Sequence, residues 1–301
     1  MDCKDRIAAY KREHNAIIAA HTYQAPEIQD VADLVGDSFA LAQKAAVSDA
    51  DTVLLCGVRF MAEGIKILAP QKTVILVTPQ ADCPMARQIE PQRVADFRQE
   101  HPDWGVVAYI NTTAELKAVS DVCVTSSSAV RIVKKLPWQH ILFLPDQNLG
   151  DYVRRMVPEK EILTWDGYCP VHHAISAQDI AAARTRWPSA KVAIHPECPP
   201  DAVAAADMVG STADIIGYIA AHPDDEIIVA TERGVVDRLK EQYPGRLHQL
   251  REDLLTCPDM KLTTLDSLQA VMDGRGGEEI EMDPDLMAAA RKSLEAMIAL
   301  G

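Results

Sequence analysis

Short apolar runs alternate along the chain with longer stretches in which apolar residues recur at helical spacing. Runs such as AIIAA at 16–20, VVAYI at 106–110 and VAIH at 192–195 contain β-branched residues and lead into polar side chains. An amphipathic stretch follows each run, which is the arrangement of strands and helices in an α/β protein. The pattern therefore predicts short parallel strands packed against helices.

This pattern occurs three times, with a period of about 87 residues. Shifts of 88 and 174 residues align AIIAAHTYQAPEIQDVADLVGDS (16–38) with WGVVAYINTTAELKAVSDVCVTS (104–126) and AKVAIHPECPPDAVAAADMVGST (190–212). Residues of the same kind recur at matching positions: acids at Glu27, Glu115 and Asp201, aspartates at Asp33, Asp121 and Asp207, and hydroxyls at Ser38, Ser126 and Thr212. A repeat of this length indicates a triplicated βαβαβα unit.

We predict three α/β domains, at residues 1–86, 87–172 and 173–261. The last segment, 262–301, contains the stretch DLMAAARKSLEAMIAL after a capping aspartate and a proline, and we expect it to pack back on the first domain. Loops after the carboxyl ends of parallel strands hold ligands. If a pseudo-threefold axis relates the domains, these loops meet in one central cavity.

The charge of the chain limits the class of partner. The net charge is −14 and the pI is near 5.0, whereas a nucleic-acid partner requires a basic face. No apolar run approaches the ~20 residues that cross a bilayer, and residues 1–15 contain no apolar signal core. We expect a cytoplasmic protein that binds small molecules and neither nucleic acid nor membrane.

Three of the seven cysteines are the candidate metal ligands. Cys83, Cys169 and Cys257 each precede a proline and each follow the last predicted strand of a repeat. Zinc sites usually contain close pairs such as C-x-x-C, whereas these isolated cysteines need the tertiary fold to bring them together. A [4Fe–4S] cluster held by only three thiolates keeps one iron open, and an open iron can act as a Lewis acid.

The remaining cysteines are interpreted as non-ligands. Isolated cysteines are usually core residues, and Cys56 and Cys123 lie on predicted strands. Cys198 also precedes a proline, but it aligns with Gln24 and Thr112 and so has no equivalent in the other repeats.

Ser38, Ser126 and Thr212 are candidate binding residues. Each stands at a strand end just before an amphipathic helix, where backbone N–H groups and the helix dipole attract an anion. The alternative is that these hydroxyls only cap their helices. Three such helix ends facing one cavity would suit a ligand with several carboxylate or phosphate groups.

A second set of polar residues occupies the ends of the first strands. We interpret His195 and Glu197 as proton-transfer groups, and Tyr109 and Asn111 as ligand-binding groups. The equivalent positions in the first repeat are Tyr23, aligned with Asn111 and Glu197, and His21, aligned with Tyr109 and His195; both are further catalytic candidates. His172 and His173, beside Cys169, are either hydrogen-bond donors that surround the metal ligands or ordinary loop residues.

Taken together, these residues resemble the quinolinate synthase family, iron–sulfur enzymes of NAD biosynthesis. The stretches that carry the resemblance include HTYQAPEIQDVADLVGDS, DCPMA, LPDQNLG, GYCPVH, HPECP, GSTADIIGYI and CPDMKLTTL, and they cover residues 15–268 in order. The fold of this family, three similar αβα-sandwich domains with short parallel sheets around a pseudo-threefold axis and a central active-site cavity, agrees with the repeat.

The resemblance implies a role for each matching position. Cys83, Cys169 and Cys257 would bind a [4Fe–4S] cluster. The residues implied to contact iminoaspartate or later intermediates are His21, Ser38, Tyr109, Asn111, Ser126, His195, Glu197 and Thr212, with Tyr23 beside them.

The implied reaction condenses iminoaspartate with dihydroxyacetone phosphate to quinolinate and releases phosphate and two waters. It also implies functional coupling to an enzyme that produces iminoaspartate. Two other classes remain open from the residues alone. An aconitase-like hydro-lyase would use the same three-thiolate cluster without consuming a triose phosphate. An iron or redox sensor would use the cysteines without His195, Glu197 and the helix ends.

Overall fold

The structure, a computed structural model, describes residues 3–301, with side chains from Asp5 onward. Three sheets, each with four parallel strands, follow one another along the chain, and the first sheet has a fifth, antiparallel strand at its edge. In each sheet the first strand pairs with both the second and the third, and the fourth pairs with the third. The predicted α/β class and threefold repeat are therefore confirmed.

The first unit places α1 before its sheet and a helix after each of the first three strands. Its elements are α1 (Cys3–Glu13), β1 (Ala16–His21), α2 (Pro26–Gln29), β2 (Leu34–Gly36), α3 (Ser38–Val47), β3 (Thr52–Cys56), α4 (Arg59–Leu68), β4 (Thr73–Leu76) and a 3-10 helix at Pro84–Arg87.

The second unit repeats this order. Its elements are α5 (Pro91–Glu100), β5 (Gly105–Tyr109), α6 (Ala114–Ala118), β6 (Val122–Val124), α7 (Ala129–Lys135), β7 (His140–Leu144), α8 (Gln147–Met156), β8 (Glu161–Thr164) and α9 (Pro170–His173).

The third unit and the C-terminal segment complete the chain. The third unit contains α10 (Ala177–Arg186), β9 (Lys191–Ile194), α11 (Pro200–Ala204), β10 (Met208–Val209), α12 (Thr212–Ala221), β11 (Ile227–Ala230), α13 (Gly234–Leu239), β12 (Leu247–Gln249) and a 3-10 helix at Asp259–Lys261. The segment contains α14 (Leu265–Met272), β13 (Glu278–Glu279) and α15 (Pro284–Leu300).

The repeated aspartates fix the register of the first two strands in every unit. Each accepts a hydrogen bond from the backbone N–H of the residue 15 positions before it: Asp33 from Ile18 at 2.8 Å, Asp121 from Val106 at 2.7 Å and Asp207 from Val192 at 2.8 Å. Each also pairs with a base on the helix before the sheet, namely Lys11, Arg98 and Arg184. One sequence pattern thus produces the same hydrogen bond and the same ion pair in all three units.

The C-terminal segment divides between two units, which corrects part of the expectation for residues 262–301. As expected, α14 packs on α1, and β13 pairs antiparallel with β4 at the edge of the first sheet. However, α15 packs mainly on α6 and β6 of the second unit and only at its edge on α4. Its buried face, Ala290, Leu294 and Met297, completes the core of the second unit. The apolar spacing of α15 predicted a buried face but not its partner. The domain limits at 86, 172 and 261 stay a prediction.

Within residues 3–301, no helix is long and apolar enough to cross a bilayer.

Candidate active site

A cavity of about 130 Å³, open to solvent, lies where the three units meet. Its wall is formed by the loops that follow the carboxyl ends of the strands. All candidate site residues predicted from the sequence lie on it: His21, Tyr23, Ser38, Cys83, Tyr109, Asn111, Ser126, Cys169, His195, Glu197, Thr212 and Cys257.

Each of the three candidate metal ligands lies between two units. Cys83 packs against the cores of the first and second units, Cys169 against those of the second and third, and Cys257 against those of the third and first. All three are half-buried free thiols. Cys83 is close enough to both of the others for their charges to interact. Three thiols therefore converge at one end of the cavity.

Burial raises the pKa of these thiols, to about 12 for Cys83 and about 11 for Cys257. The pKa of Cys169 is also raised, first by burial and then by Glu197. Such thiols stay protonated at neutral pH unless a metal binds and displaces the proton. A set of three converging cysteines fits an iron–sulfur group, whose usual protein ligand is the thiolate.

A carboxylate holds each cysteine loop by accepting the backbone N–H of the cysteine. Asp146 Oδ2 accepts from Cys169 at 3.1 Å, and Glu232 Oε1 accepts from Cys257 at 3.2 Å. Asp146 and Glu232 occupy equivalent positions, and both are fully buried. The first unit has Val58 at this position. There, Cys83 donates instead to the neighbouring Asp82, at 2.8 Å.

Each of the two carboxylate oxygens of Glu197 has a polar partner on the cavity wall. Its Oε1 accepts from the Tyr109 hydroxyl at 2.6 Å, and its Oε2 lies 2.9 Å from His172 Nδ1. Burial alone would raise the pKa of Glu197. The charges of His195 and His172, together with the Tyr109 hydrogen bond, outweigh the effect of burial and lower the pKa of Glu197 to about 2. The carboxylate is therefore ionised at neutral pH and able to take a proton.

The two strand-end histidines have matching surroundings. His21 Nδ1 accepts the N–H of Tyr23 at 3.1 Å, and His195 Nδ1 accepts the N–H of Glu197 at 3.4 Å. Burial is the largest influence on both rings and lowers the pKa of each to about 4. Both imidazoles are consequently neutral at pH 7. Because Nδ1 accepts a hydrogen bond in each ring, Nε2 carries the proton and is the donor.

A chain of hydrogen bonds joins Tyr23 to Glu197. The Tyr23 hydroxyl lies 2.7 Å from Thr212 Oγ1 and 3.1 Å from Thr231 Oγ1. Thr231 Oγ1 in turn lies 3.0 Å from His172 Nε2. Because His172 also contacts Glu197, acid–base groups from all three units belong to one network.

His172 also lies beside a candidate metal ligand. Its Nδ1 is 3.3 Å from Cys169 Sγ. Ligand atoms of Cys169, His172 and Glu197 all lie within 4.8 Å of one another, so this group can hold a metal ion. Cys83 and Cys257 lie outside that group, at the same end of the cavity.

The three helix ends differ in how they are capped. Asp37 accepts from the N–H groups of Phe39 and Ala40 and so caps α3, and Ser211 caps α12. Ser38 and Thr212 are the first residues of these helices, while Ser126 lies three positions before the first residue of α7. Simple capping by Ser38, Ser126 and Thr212 is therefore not their role.

Several polar groups on the cavity wall are left available. Within residues 5–301, no protein group forms a hydrogen bond with the side chains of Ser38, Asn111 or Ser126. Polar side chains that face a cavity without protein partners are suited to a polar ligand.

Comparison with known proteins identifies the family. The family model described as Quinolinate synthetase A protein matches residues 5–299. The quinolinate synthase of Sulfurihydrogenibium sp. is 44% identical over 98% of this chain and 97% of its own length. The quinolinate synthase of Alkaliphilus metalliredigens is 43% identical over 98% of this chain and 97% of its own length. That of Methanoregula boonei is 42% identical over 99% of this chain and 98% of its own length. The chain belongs to the quinolinate synthase family.

This quinolinate synthase family member has site features that the sequence did not single out. Thr231, Asp146, Glu232 and Lys261 were not predicted, although Asp146 and Glu232 share a register in the repeat. That shared register is the signal by which they could have been found. His172 was weighed against an ordinary loop role, and the structure places it 2% exposed on the cavity wall, in contact with Glu197.

The cysteines interpreted as non-ligands lie in the cores. Cys56, Cys123 and Cys198 are completely buried within the units. The Cys198 Sγ points to the carbonyl of Ala230, 3.9 Å away. The side chain of Cys3 lies outside the part of the chain whose side chains are described.

Proposed function

We propose that the protein is a quinolinate synthase that condenses iminoaspartate with dihydroxyacetone phosphate, with release of phosphate and two waters. The observation that carries this proposal is the meeting of three cysteines from three units with the Glu197 network in one cavity. Membership of the family along nearly the whole chain supports the same reaction.

In this proposal Cys83, Cys169 and Cys257 hold a [4Fe–4S] cluster. Three thiolates leave one iron without a protein ligand, and when bound the cluster supplies a Lewis acid for the substrate's oxygen or nitrogen atoms. His172 is a neighbour of this site rather than a fourth ligand, because its Nδ1 already faces Glu197 at 2.9 Å.

The side chains of the chain bind the substrates and move protons. Ser38, Asn111 and Ser126, whose side chains have no hydrogen-bond partner within residues 5–301, bind the carboxylates and the phosphate together with Thr212 and the helix ends. Glu197, ionised and hydrogen-bonded to Tyr109, accepts a proton from the substrate carbon or nitrogen. Tyr23, whose hydroxyl faces the same cavity, donates a proton to a leaving oxygen, and His21 and His195 orient these two groups through their backbone N–H groups.

The proposal assigns small-molecule substrates and a cytoplasmic setting, where thiols stay reduced. Because an imine hydrolyses in water, we also propose that an iminoaspartate-producing enzyme supplies the first substrate directly. No binding surface for such an enzyme is proposed.

The test is quinolinate formation by anaerobically purified protein. Iminoaspartate is generated in the assay by an aspartate-oxidising enzyme, dihydroxyacetone phosphate is added, and quinolinate and phosphate are measured together with iron and sulfide per chain. We expect both products in equal amounts and about four irons per chain. Tightly bound zinc without sulfide, or dehydration of a hydroxy acid without use of triose phosphate, would contradict the proposal.

A further inference from the structure

The loop that carries Tyr23 is held from two different units. Gln29, in the same unit, donates to the carbonyls on either side, Thr22 O at 3.0 Å and Gln24 O at 2.9 Å. The carbonyl of Tyr23 itself accepts from Lys261 Nζ, which belongs to the third unit. The central carbonyl of the loop thus has a partner outside the unit that contains the loop.

Lys261 is at the same time part of the Cys257 loop. Its Nζ lies 2.9 Å from Glu232 Oε1, the same oxygen that accepts the N–H of Cys257 at 3.2 Å. The other oxygen, Oε2, accepts the N–H of Gly234 at 2.6 Å. One buried carboxylate therefore connects a candidate metal ligand to the lysine that contacts Tyr23.

The packing leaves little room for the Tyr23 loop to move. A Cβ atom on Gly234 would lie 2.8 Å from Tyr23 Cα and 2.9 Å from its carbonyl carbon. Only glycine allows α13 to approach the loop this closely. Lys261 therefore acts on a backbone that is already packed against the third unit.

An equivalent contact joins the second and third units. Glu197 aligns with Tyr23 in the repeat, and its backbone carbonyl accepts from Asn148 Nδ2 of the second unit at 2.9 Å. Asn148 follows Asp146 by two residues, and Asp146 holds Cys169 as Glu232 holds Cys257. At both places a cysteine loop and the acid–base loop of the next unit share one network.

We propose that Lys261 is a positioning residue for Tyr23 and that Glu232 fixes it to the Cys257 loop. Lys261 contacts no substrate in this proposal; it acts by holding the Tyr23 backbone, and so the tyrosine hydroxyl, in place relative to the metal site. This inference rests on the proposed role of Tyr23 as a proton donor, but the position of the loop can be measured without any turnover.

The experiment compares Lys261→Met and Lys261→Arg with the parent in the cluster-loaded full chain. Amide hydrogen exchange is followed by mass spectrometry in peptides that cover residues 20–26 and 254–262. We expect Lys261→Met to raise exchange at 20–26 about tenfold or more, because a local contact that limits opening is lost. Lys261→Arg, which keeps the cation, should restore most of the protection.

The control for the loss of a buried lysine contact is Lys160→Met. Lys160 Nζ donates to the carbonyls of Leu136 at 2.6 Å and Trp138 at 2.7 Å, away from the cavity. Its removal should leave exchange at 20–26 unchanged. If Lys261→Met fails to fold because Glu232 is left unpaired, the double variant Lys261→Met/Glu232→Gln removes both charges and is measured instead.

Kinetics separate positioning from general stability. We expect Lys261→Met to lower kcat about 10- to 100-fold with a KM within about threefold of the parent, since a small misplacement of a reacting group mainly affects the chemical step. Iron per chain should stay normal. Parent-like exchange at 20–26 in Lys261→Met, or the same increase in Lys160→Met, would overturn the proposal. If the parent forms no quinolinate but the variants show the expected exchange pattern, the proposed function alone is refuted.

Discussion

Cysteine followed by proline occurs four times in the chain, yet only three of these cysteines reach the cavity. Cys83, Cys169 and Cys257 lie between units, whereas Cys198 is completely buried in the core of the third unit. Proline fixes the backbone of a loop whether or not the preceding thiol meets a metal. The position of a cysteine in the repeat is therefore the better guide to its role.

We expect replacement of Cys83, Cys169 or Cys257 by serine to remove most of the bound iron and all quinolinate formation. Cys198→Ser should keep a full cluster, because its sulfur faces only the Ala230 carbonyl and core side chains. Iron and sulfide per chain are measured anaerobically for the four variants. Loss of the cluster from Cys198→Ser, with retention in one of the other three, would contradict the ligand assignment.

Replacement of Glu197 by glutamine tests the proposed proton acceptor. The side chain keeps its shape and its hydrogen bond with Tyr109 but can no longer take a proton. We expect turnover to fall by ~100-fold or more at unchanged iron content. Steady-state kinetics and an iron count decide; near-parental turnover would show that Glu197 is not the base.

The sequence predicted the residues that line the cavity better than those that hold them in place. Cysteine, histidine and glutamate at strand ends are conspicuous by type and recur in the repeat. No sequence pattern singles out Lys261, because lysines are common near loops and the role of this one depends on its partner. That partner, the carbonyl of Tyr23, is 238 residues away in sequence. Contacts of this kind depend on the packing between units, which periodicity does not specify.

At the level of elements, a last strand precedes the cysteine loop of every unit, as the sequence predicted, but β13 was not predicted. The strand consists only of Glu278 and Glu279. Two charged residues carry no strand pattern. They pair with β4 because Gly277, with a positive φ of 77°, lies close to Ile75 and Val271 and directs the chain along the sheet edge.

The position of α15 on the second unit leads to a stability prediction. Leu294 is 1% exposed and belongs to the core of the second unit. Leu294→Ala should lower the free energy of unfolding by about 2–5 kcal/mol, from lost burial and the cavity that remains. Ile298 on the same helix is 44% exposed, so Ile298→Ala serves as the control and should cost much less. Urea unfolding of both variants is the measurement; equal effects would contradict the packing of α15.

At the scale of the whole molecule, the three cysteine loops lie at the centre, where the units meet. Since each cysteine packs between two units, a bound cluster would contact all three interfaces at once. A ligand that binds only the folded state stabilises it.

We therefore expect removal of the cluster by a chelator under anaerobic conditions to lower the midpoint of thermal unfolding by roughly 5 °C or more. Differential scanning calorimetry before and after chelation is the measurement. Cys169→Ser, which should hold no cluster, is the control, and chelation should leave its midpoint unchanged. An unchanged midpoint for the parent after complete iron loss would show that the cluster does not support the interfaces.

The threefold repetition also bears on ancestry. A single unit supplies one cavity-lining cysteine and only part of the cavity wall. Three identical copies of one unit, arranged around a true threefold axis, would supply three cysteines although the gene encoded only one of them. Such a homotrimer would have possessed a metal site before any gene fusion. Fusion of such copies into one chain would free equivalent positions to differ, and one such position now holds Tyr23, Asn111 and Glu197. An enzyme with one asymmetric substrate gains from that divergence, because each wall of the cavity can bind a different part of the molecule.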